Sequence, residues 1–304
     1  MTNREDSDPH RPLEEGQSWN IGGQDQPLPP AQQLEQLLSY LEAHYDAPAF
    51  TPPWNGGGGD RWAADNYWAK LPDRITHAAL MVLGTGVDHS TPGVAYTAGA
   101  EITEVPELAA VQFNGEESTG HFVIAVHAGR WWHGSGAALE MQWHPEVAAV
   151  ACLSGATVLD VDYPLAPEHS VPEMTTAVNK AIEYARSQGA ASVTVWGQGS
   201  GAVLAVLCAQ EADALVLSFP DFAGWNALPE EVRGGAELPA ASHWPDFLVQ
   251  QEESGGPEVA TAAVINGEGH ERGEITRYHA RDGISTPETA RQRVRDIAEF
   301  LRRR

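Results

Sequence analysis

From residue 102 onward the chain alternates between two rhythms of apolar and polar positions. Runs at 108–113, 122–127, 157–162, 192–196, 214–219, 260–265 and 274–278 predict strands, and the intervals 137–154, 171–187, 201–210 and 287–301 predict helices. The runs around Val158, Val193 and Leu215 are continuously apolar, as strands covered on both faces must be, so the pattern predicts an α/β fold on a parallel sheet. Ahead of this block, Leu34, Leu37, Leu38 and Leu41 fall at helical spacing, which predicts an amphipathic helix over 31–45. Residues 1–30 are polar, acidic and proline-bearing with no apolar period and are expected to be a disordered tail. A flexible joint is expected at Gly56–Gly59, and Trp62, Tyr67 and Trp68 after it form an aromatic group suited to packing or to a lid. Residues 222–258 leave the alternating rhythm and read as an insertion.

Residues 192–201, SVTVWGQGSG, place a strand, a tight glycine turn and a helix in succession. In a nucleophile elbow, GxSxG, that turn carries a serine; here Gly197 and Gly201 hold the outer positions and the centre is Gly199. A glycine-rich strand-to-helix turn also suits a phosphate, so this motif alone decides little. Its context adds more. Residues 157–172 read TVLDVDYPLAPEHSVP, and residues 122–136 read FVIAVHAGRWWHGSG. The first resembles the VDYRLAPEH segment of the hormone-sensitive-lipase type of α/β-hydrolase, with Pro164 at the usual arginine, and the second resembles that family's HGGG oxyanion segment. The two segments, an amphipathic helix and the elbow follow in family order.

The resemblance implies an α/β-hydrolase fold, a mostly parallel central sheet with helices on both faces, in one domain over 31–304. It also implies a small helical cap built from 31–75 and a short insertion at 222–258. An active member needs a serine, a histidine, an acid and an oxyanion hole. By this resemblance the nucleophile position is Gly199, the acid position His270 in the stretch Gly267–Arg272, and the base position Gly283 after the last strand. The oxyanion row becomes His127, Ala128, Gly129 and Arg130, with Ser200 following the elbow. Four altered elements imply a fold relieved of hydrolysis that binds a small hydrophobic or ester-like ligand, or a protein partner. Two alternatives stay open: a carboxylesterase with a displaced triad of Ser200, Glu268 and His279, and a lyase or cyclase using the same cleft.

Charge narrows the field of partners. The formal net charge is −24, with Lys70 and Lys180 the only lysines, and a protein so poor in cations gains nothing from displacing the counterions of nucleic acids or anionic membranes. The C-terminal run Arg302–Arg304 complements the dipole of the last helix rather than marking such a partner. No apolar run of membrane-spanning length and no signal-like start is present, which points to the cytoplasm. His121, His127, His133 and His144 lack metal-ligand spacing, and no cofactor or metal is expected. Cys152 and Cys208 sit in apolar stretches and are expected as buried free thiols.

Overall fold

The computed structural model describes residues 28–84, 88–93, 99–253 and 272–304. An eight-stranded sheet runs through it in the order β1-β2-β4-β3-β5-β6-β7-β8. Its strands are β1 (Glu101–Val105), β2 (Ala110–Asn114), β3 (His121–Val126), β4 (Thr157–Val161), β5 (Ser192–Gln198), β6 (Ala214–Ser218), β7 (Asp246–Glu252) and β8 (Gly273–Tyr278). β2 is antiparallel to both neighbours, and every pairing from β4 to β8 is parallel. The expected mostly parallel α/β sheet is therefore present.

Side-chain alternation divides the core between the two faces. Ile124, Val126, Leu159, Val161, Leu215 and Leu217 face α5 (Val171–Ser187) and α6 (Ser200–Leu207). Val123, Ala125, Val158 and Val216 face α4 (His144–Ser154) and α9 (Pro287–Arg302). α5 begins where the sequence says it should: Ser170 and Glu173 form a reciprocal capping box, and Pro172 occupies the first turn, where its missing N–H costs nothing. α4 and α9 are joined by a buried ion pair, Arg293 Nη2 to both oxygens of Glu146 at 2.9 Å.

The N-terminal segment forms α1 (Pro30–His44), α2 (Arg61–Ala69) and α3 (Leu71–Val82), and α2 brings Trp68 to the cavity at the carboxyl ends of the strands. Leu34, Leu37, Leu38 and Leu41 of α1 pack against Leu71, Ala78 and Ala79 of α3, each leucine gaining about 1.5–3 kcal/mol from burial. Phe50 meets Tyr67, Trp68 and His133 with ring centroids 5.6, 6.3 and 5.7 Å away, so this part of the aromatic group packs the N-terminal segment against the loop after β3. Trp62 does not take part and is 74% exposed.

Several expectations need correction. β1 was not foreseen, because four of its five residues face solvent and no apolar rhythm marks it. Residues 222–258 are not one insertion: they hold α7 (Phe222–Asn226), α8 (Glu230–Arg233) and then β7, whose Gln250, Gln251 and Glu252 are buried although polar. The expected strand at 260–265 lies outside the described residues, and α3 continues past 75 to Val82. A π-helical turn, Leu139–Trp143, precedes α4 where one continuous helix was expected, and it aims Trp143 Nε1 at the buried Asp160 (2.8 Å). Cys152 and Cys208 are both free, the first half-buried and the second buried. Among the described residues no helix is long and apolar enough to cross a membrane.

Candidate functional site

β5 delivers the chain into the glycine turn at the middle of the sheet. A Cβ on Gly197 would stand 2.1 Å from Gly201 O, and one on Gly201 2.3 Å from Val126 O, so both outer glycines are demanded by backbone contact. Gly199 has φ 56° and ψ −117°, a conformation that a residue with a side chain adopts only under strain. Its own Cβ would meet Ala128 Cβ at 3.2 Å, a tight contact but with a side chain only. Ser200 opens α6 with 1% exposure, and its Oγ accepts the Trp131 N–H at 3.3 Å. Burial pushes the Tyr163 phenol pKa up, and its hydroxyl donates to His127 O at 3.1 Å beneath the loop that follows β3.

That loop follows a strained path. Gly129 has φ 140°, Arg130 φ 50° and Trp131 φ 75°. A Cβ on Gly129 would fall 1.6 Å from His133 O, and the N–H groups of Trp132 and His133 both donate to Gly129 O (3.1 and 3.0 Å). His127 stacks on Tyr163 at 4.3 Å and lies 3.6 Å from Asp162. Burial opposes ionisation of Asp162, but bonds from His127 and Ser135 outweigh it and hold its carboxyl below the ordinary range. α2 clamps the loop from above, with Arg61 Nε donating to Trp132 O (2.8 Å) and Asp65 Oδ1 accepting from Gly134 N (2.6 Å). Arg130 turns outward, 47% exposed, over the Phe50 ring at 5.6 Å and 3.7 Å from Asp282.

The third side of the site was not visible in the sequence. β7 ends at Glu252, so the connection that follows the seventh strand begins there; His270, the expected acid position, lies outside the described residues. Glu252 is 7% exposed and accepts the Gly283 N–H at 2.7 Å, and burial raises its pKa above the usual value for a glutamate. Gly283 lies in a two-residue hairpin between β9 (Ala280–Arg281) and β10 (Ile284–Ser285). Asp282 and Gly283 both have positive φ, 52° and 79°, the type I′ geometry that the Asp-Gly pair favours. Glycine at 283 thus has a local backbone reason. Of the displaced set, Ser200 borders the site, Glu268 lies outside the described residues, and His279, which does not line the cavity, pairs with Glu253 (3.0 Å).

Between these three sides lies a cavity of about 370 Å³, bordered by Ala128, Gly129, Gly199, Ser200, Glu252 and Gly283. Pro52, Trp54 and Trp68 roof it from the N-terminal segment, and Gly224 and Ala227 close it from the α7 side. Five non-glycine residues among those described have positive φ, and four of them, Arg130, Trp131, Phe219 and Asp282, line this cavity. Such strain persists where surrounding structure imposes it and gathers at functional sites. His133, also on the wall, is pushed down to about 3 by burial, and burial raises Asp65, 3.8 Å away, so that contact is one between two groups that resist charge. Among the described residues no group of three or more His, Cys, Asp or Glu is arranged to hold a metal.

The sheet order, the glycine elbow between β5 and α6 and the loop after β3 decide the fold. This is an α/β-hydrolase fold. The profile of a family described as "alpha/beta hydrolase fold" matches residues 123–223 of it. Among solved structures, the α/β-hydrolase fold seen here resembles an esterase of the bacterial hormone-sensitive lipase family, 16% identical with a TM-score of 0.59 over 90% of this chain and 98% of that one. Esterase E25 is likewise 16% identical, with a TM-score of 0.60 over 94% and 98% of the two chains. A hyperthermophilic esterase from the archaeon Pyrobaculum calidifontis is 19% identical, with a TM-score of 0.55 over 80% and 93%. No curated protein matches by sequence. At these identities the likeness is one of α/β-hydrolase fold, and chemistry has to be argued from the site.

Proposed function

We propose that this α/β-hydrolase-fold protein does not hydrolyse esters and uses the cleft at its elbow to bind a small molecule. The observation that carries this reading is Gly199: the turn has the strained geometry of a nucleophile elbow, opens onto a cavity of about 370 Å³, and presents no side chain there. Removing the nucleophile of a comparable serine hydrolase costs about 10⁶ in rate. The base position offers no compensation, since the hairpin brings a glycine to the cavity and His279 is engaged with Glu253. Ser200 supports the reading as well, because its hydroxyl is occupied by Trp131 N–H inside the protein.

The test combines two assays on the full chain. Short p-nitrophenyl esters are expected to hydrolyse no faster than in buffer, and a fluorophosphonate probe is expected to leave the protein unlabelled. Stoichiometric labelling mapped to Ser200 would overturn the proposal in favour of a displaced triad.

A further inference from the structure

Resting on the reading of the cleft as a binding site, we infer that its inner end is a subsite for an organic cation, a protonated amine or imidazolium carried on an apolar body. Glu252 is the first reason. It is 7% exposed, it accepts from the backbone N–H of Gly283 (2.7 Å) with the Asp282 backbone beside it, and among the described residues no cationic side chain forms an ion pair with it. Arg281, on the same hairpin, points instead to Glu42 at 3.4 Å. A buried carboxylate with no cationic partner among the described residues is a poor design for stability and a good one for capturing a positive charge.

The surroundings agree with that charge. Three carboxylates, Asp221, Glu252 and Asp282, border the cavity against a single arginine, Arg130, which is committed to Asp282. Asp221 caps α7 through Gly224 N (2.7 Å) and is only partly free to attract. Trp54 and Trp68 in the roof and Trp131 below also line the cavity, and aromatic rings draw ammonium groups through their quadrupoles. Gly283 leaves the approach to Glu252 open, since a Cβ there would meet only Gln198 Nε2, at 3.7 Å. The net charge of −24 draws cations to the mouth and turns anions away.

Three probes of one size separate charge from shape: phenethylamine, 2-phenylethanol and phenylacetate. Binding would be measured by calorimetry and thermal shift to the wild-type chain, to Glu252→Gln and to Trp54→Leu. The amine is expected to bind at least about tenfold more tightly than the alcohol, and the carboxylate to be the weakest. Glu252→Gln is expected to melt no lower than wild type and to erase the amine's advantage; Trp54→Leu is expected to reduce that advantage several-fold. Equal binding of alcohol and amine, an advantage that survives Glu252→Gln, or binding by none of the three overturns the cation subsite. Binding of the alcohol or the carboxylate in its place would leave the cleft a binding site, whereas ester turnover with a labelled serine would remove that reading too.

Discussion

At the scale of single residues, Gly199 combines a sequence signal with a physical one. The GxGxG frame shows which side chain is absent, and φ 56° shows what a side chain there would endure. Gly199→Ser is expected to lower stability by about 1–3 kcal/mol, read from urea unfolding, because it forces a non-glycine residue into a sparsely populated region and against Ala128. Esterase activity should stay near background. Saturable hydrolysis of p-nitrophenyl acetate that phenylmethylsulfonyl fluoride abolishes would show a working base and acid and refute the proposed loss of hydrolysis. His133 makes a second prediction. Burial holds its folded pKa at about 3 against 6.5 unfolded, so the unfolded chain takes up a proton first, and stability present above about pH 6.5 is lost as pH falls. Between about pH 7.5 and about pH 5, His133→Gln should lose about 2 kcal/mol less than wild type. Equal losses in the two proteins would place the proton elsewhere. Glu252 shows the limit of residue-level reading: nothing in QQEES marks a glutamate as the buried end of a cleft, because its importance comes from which strand ends there.

At the scale of elements, legibility followed periodicity. Residues 171–187 are legible as a helix because Val171, Met174, Val178, Ile182 and Ala185 trace one helical face, and Ser170 with Glu173 caps its start. β7 escaped because its second half, Gln250, Gln251 and Glu252, looks polar, and its partners are polar too. Gln250 Oε1 accepts from Ser218 Oγ (2.8 Å), and its Nε2 donates to Arg293 O (3.0 Å) and Tyr278 OH (3.3 Å). A buried network of this kind erases the apolar signature of a central strand while satisfying its hydrogen bonds. Arg293 is its anchor, 1% exposed, with Nη2 donating to both oxygens of Glu146. Arg293→Ala should therefore cost about 3–5 kcal/mol, as loss of one partner of a buried pair does, and Arg293→Ala with Glu146→Leu should recover part of it. A loss under about 1 kcal/mol in chemical denaturation would show that water reaches the pair and that α4 and α9 are held by their apolar contacts instead.

At the scale of the whole molecule, the fold was legible through the order of its motifs, whereas the chemistry depends on how three distant segments meet over the sheet. The loop after β3, the elbow after β5 and the end of β7 converge because parallel strands present their carboxyl ends on one side. Charge acts at this same scale. With 42 acidic against 18 basic side chains, the chain repels itself across a radius of gyration of about 19 Å, the value expected for a compact chain of this length. At about 0.01 M salt the Debye length is about 30 Å and the whole charge is felt; at about 0.15 M it is about 8 Å and only neighbours interact. The melting temperature should therefore rise between these two salt concentrations and change little beyond them. The same screening should slow association of phenethylamine with the cleft while sparing its hold on the buried Glu252, so dissociation should be nearly unaffected by salt. A melting temperature flat across that range would show the acidic charge to be neutralised locally by pairs such as Arg303 with Glu274 (2.9 Å) and Arg186 with Asp213 (2.8 Å). Salt that accelerates dissociation as strongly as it slows association would place the bound cation at the exposed mouth, beside Asp282, and not against Glu252.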